Sequence, residues 1–141
     1  MKDIKVGIID YGIGNQISIK RCLSLLGIKS IVSNKINELN ICNAILLPGV
    51  GAFAPSMKLL KEKSLDLFIQ KKAKKNFPII GICLGMQLLF EKSYENGEHD
   101  GLGILPGIVE SLSKEKLFHI GWNNLKILKK NNFLKNENHY Y

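Results

Sequence analysis

Apolar positions along the chain fall into short runs separated by polar, glycine-bearing loops. Ile4 to Ile9 (I-K-V-G-I-I) is mostly apolar, as a strand in a sheet covered on both faces requires. Gln16 to Leu26 carries Ile19, Cys22, Leu23 and Leu26 at helical spacing, which predicts a helix stopped by Gly27 with Cys22 on its core side. Ile28 to Val32 and Ala44 to Leu47 read as second and third strands. Pro55 to Leu60 and Ser64 to Lys75 read as helix, the latter with Leu65, Phe68, Ile69 and Ala73 apolar. A further apolar run at Ile79 to Ile82 leads into a second one at helical spacing that ends at Phe90. Glu91 to Gly101 is polar and predicts an exposed loop with His99 and Asp100 solvated. Gly103 to Leu112 and Leu117 to Leu128 read as strands with turns, and His139-Tyr140-Tyr141 as the opening of another. Strands alternating with helices predict an α/β fold, with a sheet that is mainly parallel at first and a β-rich insertion after the helix ending at Phe90.

The stretch with the sharpest chemistry is Gly81-Ile82-Cys83-Leu84-Gly85. A nucleophile flanked by glycines two positions to either side, between a strand and a helix, is the pattern of a nucleophile elbow. The glycines are needed because strand and helix backbones crowd there, while the apex residue is held strained with its reactive atom exposed. A cysteine at a helix N-terminus also has its thiolate stabilised by backbone N–H groups. Pro48-Gly49-Val50-Gly51, after the third strand, is a loop whose N–H groups can face an anion. Gly12 and Gly14 do not complete a dinucleotide fingerprint, because Ile17 stands where the third glycine belongs.

Composition narrows the partners. The 141 residues are 45% hydrophobic and 23% charged, a globular balance with no apolar run of membrane-spanning length. Met1-Lys2-Asp3 leads straight into a strand, which is not a signal peptide. Three cysteines without metal-like spacing then read as reduced thiols in a cytoplasm. The net charge of +8 does not point to nucleic acid. Arg21 is the only arginine, and the lysine cluster Lys71, Lys72, Lys74 and Lys75 suits a solvated helix end.

Five separated stretches occur in the order of one family: Asp10-Tyr11-Gly12-Ile13-Gly14-Asn15, Leu47-Pro48-Gly49-Val50-Gly51-Ala52-Phe53, Gly81-Ile82-Cys83-Leu84-Gly85-Met86-Gln87, Gly101-Leu102-Gly103 and His119-Ile120-Gly121-Trp122-Asn123. Together they resemble the glutamine amidotransferase subunit of imidazole glycerol phosphate synthase, a class I triad glutaminase. The resemblance implies a flavodoxin-like three-layer sandwich. It implies that Cys83 attacks the carboxamide of glutamine, forms a thioester and releases ammonia, after which water frees glutamate. Leu84 and the Gly49-Val50-Gly51 loop would supply the oxyanion hole. Gln87 and Glu95 would hold the substrate, the Glu95 carboxylate facing its α-ammonium. Asn15, Trp122 and Asn123 would dock on the cyclase subunit, a separate (β/α)₈ barrel that receives the ammonia in histidine biosynthesis. No metal or cofactor is implied.

The family's triad also has a histidine and, two residues later, a glutamate on a late strand. The resemblance places that segment where this sequence stops. His139 matches it poorly, because polar Asn136 to Asn138 precede it, it opens its strand, and no glutamate follows. The expectation is therefore one amidotransferase domain over 1–141, incomplete at its C-terminus, lacking the last strands and with little or no activity. Two rivals stay open. One is a paralogue feeding ammonia to a different, sugar-modifying synthase; the other is a non-catalytic binding subunit.

Overall fold

A computed structural model describes residues 4–112, 121–124, 126–127 and 139–140. It divides into two compact units, Met1–Ser111 and Leu112–Tyr141. The predicted His119-Ile120 lies outside the described residues.

In the first unit, strand β1 (Lys5–Ile9) leads to helix α1 (Gln16–Leu25), β2 (Lys29–Ser33), the short α2 (Ile36–Asn40) and β3 (Ala44–Leu47). Helices α3 (Phe53–Glu62) and α4 (Leu65–Ala73) follow, then β4 (Ile79–Gly81) and a single helical turn, α5 (Leu84–Gln87). The strands β2-β1-β3-β4, in that order, form one parallel sheet. Alternation along each strand separates two apolar layers. Val6, Ile8 and Leu46 face α1, where Ile19 and Leu23 pack on them. Ile9, Ile45 and Leu47 face the other way into the larger core, with Phe53, Met57 and Leu60 of α3 and Leu65, Phe68 and Ile69 of α4. Helices on both faces of a parallel sheet make the predicted three-layer α/β sandwich. All four strands deliver their carboxyl ends to one edge, where ligands of such sheets bind.

The unit is completed by a second sheet of β5 (Phe90–Ser93), β6 (His99–Asp100) and β7 (Leu105–Val109). β5 pairs antiparallel with β6 and parallel with β7. This is the β-rich insertion, but it begins earlier than the sequence pattern predicts. Leu88 and Leu89 keep helical spacing and are buried, yet their carbonyls accept from Leu102 N and from Ile104 N and Leu105 N, each at 2.9 Å. The chain is drawn into a sheet and the helix ends after one turn. His99 and Asp100 are correspondingly in a hairpin strand rather than a loop; His99 is half-buried, and only Asp100 is exposed.

Cys22 corrects another expectation. It is exposed, because the packed stripe of α1 is the narrower pair Ile19 and Leu23, and Leu26 is turned out with Cys22. In the second unit, β8 (Asn123–Asn124) pairs antiparallel with β9 (His139–Tyr140), so His139 does open a strand.

Candidate active site

Cys83 sits at the turn between β4 and α5 with φ 54° and ψ −122°, a left-handed conformation that costs a non-glycine residue about 1–3 kcal/mol. The crowding that holds it there is visible at its glycines. A Cβ on Gly85 would lie 2.0 Å from the Leu47 carbonyl oxygen, and one on Gly81 would lie 2.5 Å from Met86 Cα. Leu84 and Leu88 are buried in the main core, so the inner side of the turn is anchored. Ile82 N–H donates to Leu47 O at 3.0 Å, and the N–H groups of Met86 and Gln87 close the turn onto the Cys83 carbonyl. The Cys83 side chain is left exposed at the sheet's carboxyl edge.

The loop Pro48 to Ala52 leaves the neighbouring strand β3 and lies directly against this turn. A Cβ on Gly49 would meet Gly85 N at 2.5 Å and Leu84 Cβ at 2.9 Å. Gly51 adopts φ +86° and Val50 is about half exposed (48%). Among the described residues, no carbonyl accepts from the N–H groups of Leu84, Gly49, Val50 or Gly51. Unpaired donors at two adjoining strand ends are what an oxyanion requires.

Beneath the loop lies Tyr11, fully buried, whose hydroxyl donates to the Pro48 carbonyl at 2.9 Å. Burial pushes its phenol above the ordinary pKa; the Ser56 hydroxyl acts against this, and the charge of Cys83 adds to it. Tyr11 therefore stays a protonated donor and lies close enough to Cys83 for a charge there to act on it. In the sequence Tyr11 is one letter of the Asp10 to Asn15 motif. The sole local signal was a hydroxyl-bearing aromatic placed just after an apolar strand.

Gln87 and Glu95 line one cleft of about 350 Å³ together with Tyr94, Asn96 and Val109. The two predicted substrate residues are thus brought together. Glu95 is also engaged in the protein, since its Oε2 accepts from Phe53 N–H at 2.7 Å. That contact spans 42 residues and has no local sequence signal.

Asn15 is exposed and caps α1, its Oδ1 accepting from Ser18 N–H at 3.3 Å. Trp122 (73% exposed) and Asn123 are at the surface of the second unit. Among the described residues, no three of His, Cys, Asp and Glu converge as metal ligands would, and no helix is long and apolar enough to cross a membrane.

Residues 7–140 match the family model of class-I glutamine amidotransferases. The chain is 51% identical over 122 residues to the imidazole glycerol phosphate synthase subunit HisH of Exiguobacterium sibiricum, covering 86% of this chain and 62% of that one. It is 40% identical over 145 residues to the subunit of the same name from Geobacillus kaustophilus, covering 96% of this chain and 69% of the relative. A crystal structure of a glutamine amidotransferase superposes with TM-score 0.70 at 23% identity, covering 84% of this chain and 62% of the solved one, a likeness of fold. The chain spans about three fifths of the length of the Exiguobacterium sibiricum relative and of its counterpart from Oceanobacillus iheyensis. With the strained cysteine, the glycine loop packed on it and the match across 7–140, the chain belongs to the class-I glutamine amidotransferase family.

Proposed function

We propose that this chain is the glutaminase subunit of an imidazole glycerol phosphate synthase, acting in the cytoplasm in histidine biosynthesis. The observation that carries the reading is the junction of Gly49 with the Leu84–Gly85 turn, which sets unpaired N–H donors beside an exposed, strained Cys83. In this reading Cys83 Sγ attacks the side-chain carboxamide of glutamine. The developing oxyanion is held by Leu84 N–H and by donors of Gly49, Val50 and Gly51. Collapse of the tetrahedral adduct breaks the C–N bond, releases ammonia and leaves a thioester; water then attacks that thioester and frees glutamate. Gln87 and Glu95 hold the amino-acid end of the substrate, and the carboxylate of Glu95 complements its α-ammonium. Asn15, Trp122 and Asn123 face the barrel-shaped cyclase subunit, which accepts the ammonia.

The reaction also needs a group that takes the thiol proton and returns one to the departing ammonia. His99 lies in the β5–β6 hairpin, its Nε2 3.4 Å from the Asn96 carbonyl, and is not assigned that role.

The test uses the two exposed cysteines as each other's control. A chloroketone analogue of glutamine should alkylate Cys83 at least about a hundredfold faster than Cys22, while iodoacetamide should show far less preference. Glutamate release from glutamine in the presence of a cyclase subunit, measured on this chain extended through the family's histidine- and glutamate-bearing segment, should disappear in Cys83→Ala. Equal labelling of Cys83 and Cys22 by the chloroketone would overturn the glutaminase reading and leave a binding subunit.

A further inference from the structure

The loop that carries the proposed oxyanion donors is held at its two ends by different means. At its start, the Pro48 carbonyl is bound by the buried Tyr11 hydroxyl. At its finish, the first helical residue of α3 is the fully buried Phe53, preceded by Ala52 as N-cap. Alanine has no side-chain oxygen to accept from the helix's first N–H groups, so α3 lacks the ordinary local cap. Glu95 supplies it from 42 residues further along the chain, with Oε2 accepting from Phe53 N–H at 2.7 Å. The glutamate is itself positioned, since its own N–H donates to the buried Ser93 Oγ at 3.1 Å. Between the two ties, Val50 is half exposed and Gly51 has open space around it. Among the described residues Oε1 of Glu95 accepts no hydrogen bond, and the side chain lines the cleft shared with Gln87.

We propose that Glu95 is a positioning residue for the oxyanion loop: one oxygen of its carboxylate fixes the end of the loop through Phe53 N–H, while the other remains for a cationic group in the cleft. Recognition of an amino acid's ammonium and placement of the oxyanion donors then share one carboxylate. The coupling rests on the glutaminase reading; the tie to the loop does not. A negative charge near the first turn of α3 is favourable in itself, which keeps the tie intact in the empty protein.

The two functions separate chemically. Glu95→Gln keeps an oxygen acceptor for Phe53 N–H and removes the charge that an ammonium needs. Glu95→Ala removes both. Hydrogen exchange of the Phe53 amide, measured on the intact chain without ligand, should accelerate at least about tenfold in Glu95→Ala and stay within about threefold of wild type in Glu95→Gln. For Cys83 alkylation by the chloroketone analogue of glutamine, Glu95→Gln should weaken the inhibition constant about tenfold or more with the maximal inactivation rate retained. Glu95→Ala should in addition lower that maximal rate. Alkylation of Cys83 by iodoacetamide, which forms no oxyanion, should be unchanged in both variants.

Wild-type exchange at Phe53 in Glu95→Ala, or equal maximal inactivation rates in the two variants, would overturn the proposal. The exchange experiment needs no substrate analogue. Fast exchange in Glu95→Ala, with chloroketone labelling that fails to favour Cys83 even in wild type, would therefore uphold the tie and reject the glutaminase reading.

Discussion

Two neighbouring strands end at the same edge of the parallel sheet and are followed by glycine-rich turns, yet the turns are secured in opposite ways. After β4 the turn is secured by contact. Gly81 and Gly85 are pressed against backbone atoms, and no side chain fits at either place. After β3 the loop is secured by its ends. Gly49 shares the crowding of the elbow, but Gly51 has nothing within 4 Å of where a Cβ would stand and requires glycine only for its φ of +86°. Cys83 thus stands on a turn fixed by backbone contact, whereas Val50 and Gly51, two of the proposed oxyanion donors, are on a stretch tied at its ends by Tyr11 and Glu95. A nucleophile gains from being over-determined. In the proposed mechanism the loop meets a charge that appears only during reaction, which gives it reason to be tunable.

Alanine at the two kinds of glycine would break this contrast or sharpen it. Gly85→Ala places a Cβ against the Leu47 carbonyl at 2.0 Å, and neither backbone can give way without moving β3. The expected loss is more than about 3 kcal/mol, a large part of a small domain's stability, read as a collapse of the urea midpoint. Gly51→Ala meets no atom and bears only the left-handed conformation, about 1–2 kcal/mol. Equal midpoints for the two variants would mean that the elbow relaxes as readily as the loop, and the distinction would fall.

The elbow was legible in the sequence because its constraint is local: two glycines and a cysteine within five residues announce the crowding that demands them. The parallel order of the first four strands was legible for a similar reason, since apolar runs alternate with helical spacing over short distances. What escaped was decided by partners far along the chain. Leu88 and Leu89 have helical periodicity, but Leu102, Ile104 and Leu105 take their carbonyls for a sheet. Helix α2 escaped because it is five residues long and buries only Leu39, too little to set a period. Cys22 was misplaced because helical spacing names a stripe without saying how wide its cover is. Of the site, Gln87 and Glu95 came from resemblance and lie in one cleft. The contact of Glu95 with Phe53 N–H, like that of Tyr11 with Pro48 O, joins segments that nothing in the sequence pairs.

The smallest expected effect concerns the fixed end of the loop. Tyr11→Phe removes one hydroxyl and leaves the Pro48 carbonyl without its donor, a loss of about 1 kcal/mol at neutral pH. Its pH dependence identifies the cause. Burial, reinforced by the charge of Cys83 and opposed by Ser56, raises the phenol's pKa in the folded chain. A group with a raised folded pKa contributes stability that is fully present below its unfolded value, about 10 for tyrosine, and is lost as the pH climbs through the folded value. The difference in urea midpoint between wild type and Tyr11→Phe should therefore be constant from about pH 6 to 9 and shrink above about pH 10. Cys83→Ser should leave that onset in place but complete the shrinkage at lower pH and reduce its extent, because one of the charges raising the folded phenol's pKa is gone. A loss of the same extent in Cys83→Ser would mean that the loop's anchor and Cys83 do not sense each other. The rigid turn and the tethered loop would then be neighbours without electrostatic communication.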